Sequence, residues 1–220
     1  MNILHHEQIY RGKDILEKIK IFPLVICGIG AIGSNLAENL VRQGFKNLKA
    51  IDKDRIEERN INTQIWTLRD VGALKINALK HRLFEVGKVE VYGDKKELKA
   101  ERDHEYFRFA KLVIDAFDNS KSRQLVKKAC SAGDIFGDKS NCRNCLHIGF
   151  SGGYGEIIWN EDYRVPDDKG IDDCDYPLAR NLIMLIIAVA SEVIIKFITE
   201  GVKENYTITL GDFRIERYMP

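Results

Sequence analysis

Residues 24–33 read Leu-Val-Ile-Cys-Gly-Ile-Gly-Ala-Ile-Gly, and this stretch decides the fold. Its four leading apolar residues predict a buried strand, and apolar residues at positions 32, 36 and 40 predict a helix directly afterwards. The glycines between them follow a GxGxxG pattern, in which the first permits a tight turn, the second admits a phosphate and the third allows close packing. We expect a phosphate-binding turn at the start of the helix, formed by Gly28, Gly30, Ala31, Ile32 and Gly33.

A second strand is expected at residues 48–51, and Asp52 ends it 19 positions after Gly33. Strand, helix and strand form a βαβ unit, so the sheet is predicted to be parallel. A carboxylate at this strand end can accept hydrogen bonds from ribose hydroxyls. The pattern indicates a bound nucleotide without distinguishing NAD from ATP, and a solvated turn aspartate is the alternative interpretation of Asp52.

The rest of the chain continues to alternate between strand and helix patterns. Asp70 is placed to cap a helix that ends at Gly87. We predict an α/β fold: a Rossmann-like, doubly wound, mostly parallel sheet with a C-terminal antiparallel extension. It would form one domain over residues 1–220, with a core at about 22–135 and a partner-binding or dimer portion at about 136–220. The remaining predicted elements are strands at 89–92, 112–117, 146–150 and 156–159, helices at 122–132 and 178–199, and an edge strand at 206–218.

Composition limits the class of partner and compartment. The net charge of +1 leaves no broad basic field, so neither nucleic acid nor an anionic membrane is an expected partner. An odd number of cysteines and no signal-like amino terminus favour a cytoplasmic location. The most apolar stretch, Leu182–Ala190, is too short for a membrane span of about 20 residues, so we interpret it as a buried helix or a dimer interface.

Three further motifs follow the glycine turn. Residues 52–64 read DKDRIEERNINTQ, residues 70–75 read DVGALK, and residues 115–119 read DAFDN, with Arg123 four positions on. They resemble the DxDxVxxSNLxRQ, DVGxxK and DxxDNxxxR segments of the ThiF, MoeB, HesA and ubiquitin-activating E1 family. The resemblance covers roughly residues 24–135.

This resemblance implies an ATP- and Mg²⁺-dependent adenylyltransferase that acts as a homodimer. The substrate would be the C-terminal carboxylate of a small ubiquitin-like or sulfur-carrier protein, or of a peptide, with a terminal glycine. Asp118 would position Mg²⁺, and Lys75 would neutralise phosphate oxygens that otherwise repel the attacking carboxylate. The nucleotide contacts implied by the family are Asp52, Asp54, Asn60, Gln64, Lys75 and Asn119.

The motif departs from the family at two positions. Thr63 stands where the family has arginine, and Arg59 stands where it has serine. We hypothesise that Arg59 reaches the phosphates instead. Arg11 is the candidate for the arginine that family dimers place in the neighbouring subunit's nucleotide site.

The cysteines provide two weaker hypotheses. Cys142 and Cys145 form a single CxxC, whereas relatives bind zinc through two such pairs, and a tetrahedral site needs four ligands. Zinc would have to recruit Cys130, Cys174 or His147, so ordinary reduced cysteines are the favoured interpretation. Nearby Lys139 and Arg143 favour a thiolate at Cys142, the better candidate for a thioester or persulfide.

Three alternatives stay open. The glycine-rich stretch at 149–155 and the acidic loop at 160–175 would receive the partner's tail, or would be only hairpin turns and a solvated loop. The chain could be a non-catalytic E1-like subunit that binds nucleotide or a partner. An NAD(P)-dependent oxidoreductase is supported only by the glycine turn and Asp52.

Replacing Arg59 with alanine is expected to lower the exchange of labelled pyrophosphate into ATP, measured with the acyl substrate present. Loss of an arginine that stabilises phosphoryl-transfer charge costs on the order of 10³-fold in rate in other enzymes. Undiminished exchange in Arg59→Ala would remove this residue from the mechanism.

Overall fold

One eight-stranded sheet organises the part of the chain that the computed structural model describes, residues 3–99, 106–108, 110–131, 144–167 and 178–219. The strands are β1 (Leu24–Cys27), β2 (Leu48–Asp52), β3 (Tyr92–Lys95), β4 (Leu112–Asp115), β5 (Cys145–Ser151), β6 (Tyr154–Trp159), β7 (Asn205–Thr209) and β8 (Arg214–Tyr218). Their spatial order is β3-β2-β1-β4-β5-β6-β7-β8. The first five strands in this order are parallel and the last three continue the sheet antiparallel, so the predicted fold class is confirmed.

Helices cover both faces of this sheet. They are α1 (His5–Arg11), α2 (Lys13–Ile21), α3 (Ala31–Arg42), α4 (Lys75–Gly87), α5 (Ser120–Ser131) and α6 (Arg180–Glu200). Leu24 and Ile26 of β1 pack into a large core with α3, α4 and α6, whereas Val25 and Cys27 pack into a smaller core with α5. Alternate side chains of a strand point to opposite faces, so an all-apolar strand is what a sheet covered on both sides requires.

The β1–α3 turn depends on two glycines that cannot carry a side chain. Gly28 has a φ of +88°, and a Cβ there would lie 2.8 Å from the Ala116 carbonyl oxygen. A Cβ on Gly33 would overlap the carbonyl oxygen of Gly28. The first turn of α3 therefore packs directly on the end of β1, as the GxGxxG pattern predicts.

The strand register brings the functional loops to one edge. Cys27 of β1 pairs with Ile51 of β2 and with Asp115 of β4, and Asp115 pairs in turn with His147 of β5. Parallel strands end at the same edge of a sheet, so the loops after β1, β2 and β4 meet there. This edge is where an open α/β sheet binds its ligand.

Helix α6 is the longest element and closes the large core. Nine of its residues are buried, and it packs against α3, α2 and β6. By length and composition alone it could cross a membrane, so the expectation that the apolar stretch is too short for a span was wrong. Buried core helices meet the same criterion, and the burial of α6 is the observation that supports the interpretation as a core helix.

The strand predicted at 89–92 is displaced to Tyr92–Lys95. Val89 and Val91 are buried in the large core as the chain leaves α4, but the following four residues make the parallel ladder with β2. Because β3 is an edge strand with partly exposed side chains, it does not need apolar residues.

Three other local predictions need correction. Asp70 does not cap α4: its carboxylate accepts hydrogen bonds from the Thr67 amide and hydroxyl, and Leu74 precedes the helix. The predicted edge strand at 206–218 is a hairpin of β7 and β8, in which all five residues of β8 are exposed. Helices α1 and α2, separated by Gly12 at a φ of +84°, were not predicted.

Gly33→Ala is expected to lower the free energy of unfolding by about 1–3 kcal/mol or more, because its methyl group would overlap backbone that cannot retreat. Gly30→Ala is the matched control, since a Cβ there meets nothing within 4 Å. Urea denaturation of both variants measures the difference. Equal stability of Gly33→Ala and wild type would contradict the close packing.

Candidate active site

The crevice at the carboxyl edge begins with the glycine turn. Whereas Gly28 and Gly33 are packed against backbone, the space above Gly30 is open. The first helical residue of α3 is Ala31, and no side chain caps this helix start. The turn thus offers unobstructed backbone next to helix amides, which is the geometry that accepts a phosphate.

Asp52 holds the glycine turn to the end of β2. Its Oδ2 accepts a hydrogen bond of 2.6 Å from the Ile29 amide, and its Oδ1 accepts one of 2.7 Å from the Asp54 amide. Burial raises the pKa of this carboxyl, and the positive charge of Lys75 opposes the rise. Each oxygen keeps a lone pair for a ribose hydroxyl, so the predicted nucleotide role is compatible with the structural one.

Lys75 lies at the first position of α4 and is nearly buried. Its Nζ is 3.5 Å from Asp54 Oδ2, which is more exposed than the lysine. A cation at a helix amino terminus is opposed by the helix dipole. The fold therefore holds this charge beside the crevice against the helix dipole, next to the carboxylates of Asp52 and Asp54.

Asp118 and Asn119 form the turn between β4 and α5. Asn119 Oδ1 accepts a 2.8 Å hydrogen bond from the Ser122 amide, and Asn119 Nδ2 lies 3.3 Å from Asp118 Oδ1. Asn119 thus precedes the first residue of α5 and contacts the exposed Asp118 carboxylate, and its predicted contact with the nucleotide stays a prediction. No group of three or more His, Cys, Asp or Glu suited to a metal occurs in the described ranges, so Mg²⁺ at Asp118 would need phosphate oxygens as further ligands.

The loop after β2 uses its polar side chains internally. Asn60 Oδ1 accepts a hydrogen bond from the Glu57 amide, and buried Gln64 accepts one of 2.6 Å from Trp66 Nε1. Arg59 Nε lies 2.6 Å from Glu57 Oε2, with both side chains more than half exposed. The structure therefore places Arg59 in a surface ion pair, and its proposed contact with the phosphates stays a prediction.

Arg11 is held within its own chain. Its Nε lies 2.7 Å from Glu7 Oε2, and its two terminal nitrogens contact the carboxylate of Glu192 on α6. The hydrogen bonds that Arg11 donates to the Glu192 carboxylate outweigh its partial burial and raise the pKa of Arg11. Its role in a neighbouring subunit, and the homodimer itself, stay predictions.

A buried polar cluster, consisting of Asp115, Arg123, His147, Asn160 and Tyr163, lies directly behind the crevice. Asp115 Oδ2 accepts a 2.7 Å hydrogen bond from His147 Nδ1, and His147 Nε2 lies 2.7 Å from Asn160 Oδ1. Arg123 donates to the Tyr163 hydroxyl at 2.9 Å and to the backbone carbonyl of residue 148, and it lies 4.0 Å from Asp115. The Tyr163 ring stacks on His147 with centroids 3.9 Å apart.

The sequence analysis did not predict this cluster, which lies at the same edge of the sheet as the functional loops. Arg123, which the sequence marks only by its position four residues after Asn119, is buried and donates to Tyr163 and to β5. The available signal was a charged or polar residue inside each of two apolar strands, Asp115 in β4 and His147 in β5. Buried polar residues need partners, so two of them at one sheet edge predict a contact.

Electrostatics of the cluster favour an ionised aspartate. Burial opposes ionisation, but the Arg123 charge and the His147 hydrogen bond hold the pKa of Asp115 below its ordinary value. Asp115 also accepts a hydrogen bond of 3.2 Å from the Phe117 amide, so the carboxylate supports the turn that carries Asp118.

The cysteine hypotheses divide between described and undescribed residues. Cys142, Cys174 and the cations near Cys142 lie outside the described residues. Cys145 is fully buried, and burial together with its side-chain hydrogen-bond contact with Cys130 raises the pKa of its thiol well above the ordinary value. A thiol in this environment is a poor nucleophile.

Asp115→Asn is expected to lower the free energy of unfolding by about 3–5 kcal/mol at pH 7, because it removes the acidic charge that acts most strongly on buried Arg123. Because the pKa of Asp115 is lower in the folded protein than in the unfolded chain, where it is about 4, its charge stabilises the fold above that pH. This contribution is lost as the pH falls further. The difference in the free energy of unfolding between Asp115→Asn and wild type, measured by urea denaturation, should therefore become smaller as the pH falls below about 4.

Asp118→Asn is the matched control, because this exposed aspartate lies three positions after Asp115, outside β4, and its replacement should leave the free energy of unfolding unchanged. If Asp115→Asn differs from wild type by the same free energy of unfolding at low and at neutral pH, the charge of Asp115 does not stabilise the fold.

Two curated proteins from Bacillus subtilis (strain 168) resemble about half of this chain. The sulfur carrier protein ThiS adenylyltransferase is 36% identical over 122 residues, which cover 54% of this chain and 36% of that protein. The tRNA threonylcarbamoyladenosine dehydratase is 32% identical over 127 residues, covering 56% of this chain and 50% of that protein. The chain thus aligns with half or less of the length of these relatives.

Among solved structures, E. coli MccB with AMPCPP and MccA superposes with a TM-score of 0.77 at 18% identity, covering 97% of this chain and 68% of that one. This likeness extends the shared fold to the antiparallel half of the sheet. The ThiF family profile matches residues 5–206. On this match and on the crevice described above, the chain belongs to the ThiF family.

Proposed function

We propose that this chain is an adenylyltransferase that activates a C-terminal carboxylate with ATP. The observation that carries the proposal is the meeting of three loops at one sheet edge. They are the glycine turn with its open face at Gly30, the Asp52 carboxylate, and the Asp118 turn, with Lys75 beside them. This set combines sites for ribose, phosphate and a divalent cation.

Each of these groups would contact a different part of the nucleotide. The amides that begin α3 would receive phosphate oxygens, and Asp52 would receive the ribose. Lys75 would supply positive charge at the α-phosphate, and Mg²⁺ held by Asp118 would neutralise charge on the departing pyrophosphate.

In the reaction a carboxylate oxygen bonds to the α-phosphorus while the bond from that phosphorus to pyrophosphate breaks. No proton needs to move, since the nucleophile is already ionised at neutral pH. The barrier is therefore one of charge repulsion and alignment, which fixed cations and a rigid turn can lower. This is why we assign the catalytic role to Lys75 and Asp118 rather than to a general base.

We propose a small sulfur-carrier or ubiquitin-like protein, or a peptide, as the acyl substrate. The relatives' names mention a sulfur carrier protein and MccA. Gly149 and Gly155 are accounted for by packing, because side chains there would meet Arg123 and Ile186. Of the four glycines at 149–155, Gly152 and Gly153 at the β5–β6 turn have open space where a side chain would be, so we propose that an incoming tail passes this turn.

A tRNA nucleoside is the second candidate substrate, since one relative is named for it. The balanced charge of this chain supports the protein or peptide substrate instead.

Lys75→Ala and Asp118→Asn are expected to lower pyrophosphate exchange into ATP by on the order of 100-fold or more, because each removes charge stabilisation from the transition state. Exchange would be measured with small proteins ending in glycine, with peptides, and with tRNA. Lys46→Ala is the matched control, because this exposed lysine precedes β2 at the opposite end of the sheet.

Each alternative has its own outcome in this assay. ATP binding by calorimetry without exchange for any substrate would identify a non-catalytic subunit. Binding of NAD(P) in preference to ATP would support the oxidoreductase alternative. Exchange that survives in both variants would reject the assigned roles of Lys75 and Asp118.

A further inference from the structure

Arg180, the first residue of α6, contacts the loop that follows β2. Its Nη1 donates a 3.2 Å hydrogen bond to the carbonyl oxygen of Asn62, a residue 118 positions away. The Arg180 side chain is otherwise exposed. Its partner Asn62 immediately precedes Thr63, which is buried. An arginine from the distant half of the chain thus reaches the segment in which the resemblance expects one.

Two contacts place this guanidinium next to the crevice. Asn35 Nδ2 donates to the carbonyls of both Ala31 and Thr63 at 2.7 Å, so the loop is fastened to the first turn of α3. On the other side, Leu178 forms a parallel bridge with Gly152 of the β5–β6 turn. Arg180 therefore lies between the start of α3 and the turn that an acyl tail would pass.

The other cations discussed above each have a carboxylate nearby, and Arg180 differs from them in this respect. Lys75 is near Asp54, Arg59 is paired with Glu57, and Arg11 with Glu192. Within the described ranges Arg180 has no carboxylate within 4 Å and only a neutral carbonyl as partner.

The position of Arg180 is also electrostatically unfavourable for the isolated helix. A cation at the first residue of α6 faces the positive end of the helix dipole, and Ala179 provides no side-chain cap. A bound polyphosphate would offset this repulsion with its negative charge. It would also give Arg180 an anionic partner.

We propose that Arg180 is a catalytic residue that binds the β- and γ-phosphates of the nucleotide. It exchanges the Asn62 carbonyl for phosphate oxygens, to which a guanidinium donates paired, charge-assisted hydrogen bonds. In this way it supplies the charge that Thr63 cannot. The inference rests on the proposed function, because it requires a triphosphate at the glycine turn.

The test is calorimetric titration with AMPCPP and Mg²⁺, and separately with AMP, which lacks the outer phosphates. Arg180→Ala and Arg180→Gln are expected to weaken AMPCPP binding by about 10- to 100-fold, the effect of losing a charged hydrogen bond. AMP binding should change less than about twofold, and Arg180→Lys should recover part of the AMPCPP affinity. Arg42→Ala, which removes an exposed arginine from the far end of α3, should behave as wild type.

Two outcomes would overturn the inference while leaving the proposed function intact. One is AMPCPP binding by Arg180→Ala with wild-type affinity. The other is an equal loss of AMPCPP and AMP binding in both Arg180→Ala and Arg180→Gln, which would show that the arginine only supports the loop. If wild type itself binds neither ligand, the proposed function fails together with the inference.

Discussion

The absence of side chains between the end of β1 and the start of α3 is the constraint on which the rest of the structure depends. Gly33 lies against the Gly28 carbonyl, and Gly28 lies against the chain at Ala116. These two close contacts join three elements, β1, α3 and the loop after β4. As a result the amides that begin α3, the Asp52 carboxylate and the Asp118 turn share one edge of the sheet.

Behind that edge, the buried polar cluster gives rigidity to groups that exposed loops would leave loose. Asp115 fixes the Phe117 amide, and Arg123 joins α5 to β5 and Tyr163. A charged network inside a protein persists only when its members satisfy one another. The buried charges therefore lie next to the turn that carries Asp118 and hold its backbone through the Phe117 amide.

The sequence predicted the βαβ core well because glycine spacing and apolar periodicity are local signals. It failed for β3, whose strand character comes from pairing with β2 rather than from apolar residues. It could not predict that His147 meets Asp115 or that Arg180 meets Asn62, since these contacts depend on how distant segments return to one edge. The family motif identified Asp52, Lys75 and Asp118 individually, but only the structure shows that Arg59 is engaged with Glu57.

The open edge at β8 has a consequence for the behaviour of this protein in solution. All five of its residues are exposed, and its outer backbone groups are a template to which another strand could add. Arg214, Glu216 and Arg217 stand along this edge, and Arg214 and Arg217 each lie within 4 Å of a glutamate. An incoming strand would have to strip water from these ions, so the charges discourage uncontrolled edge-to-edge aggregation while leaving the sheet open at its end.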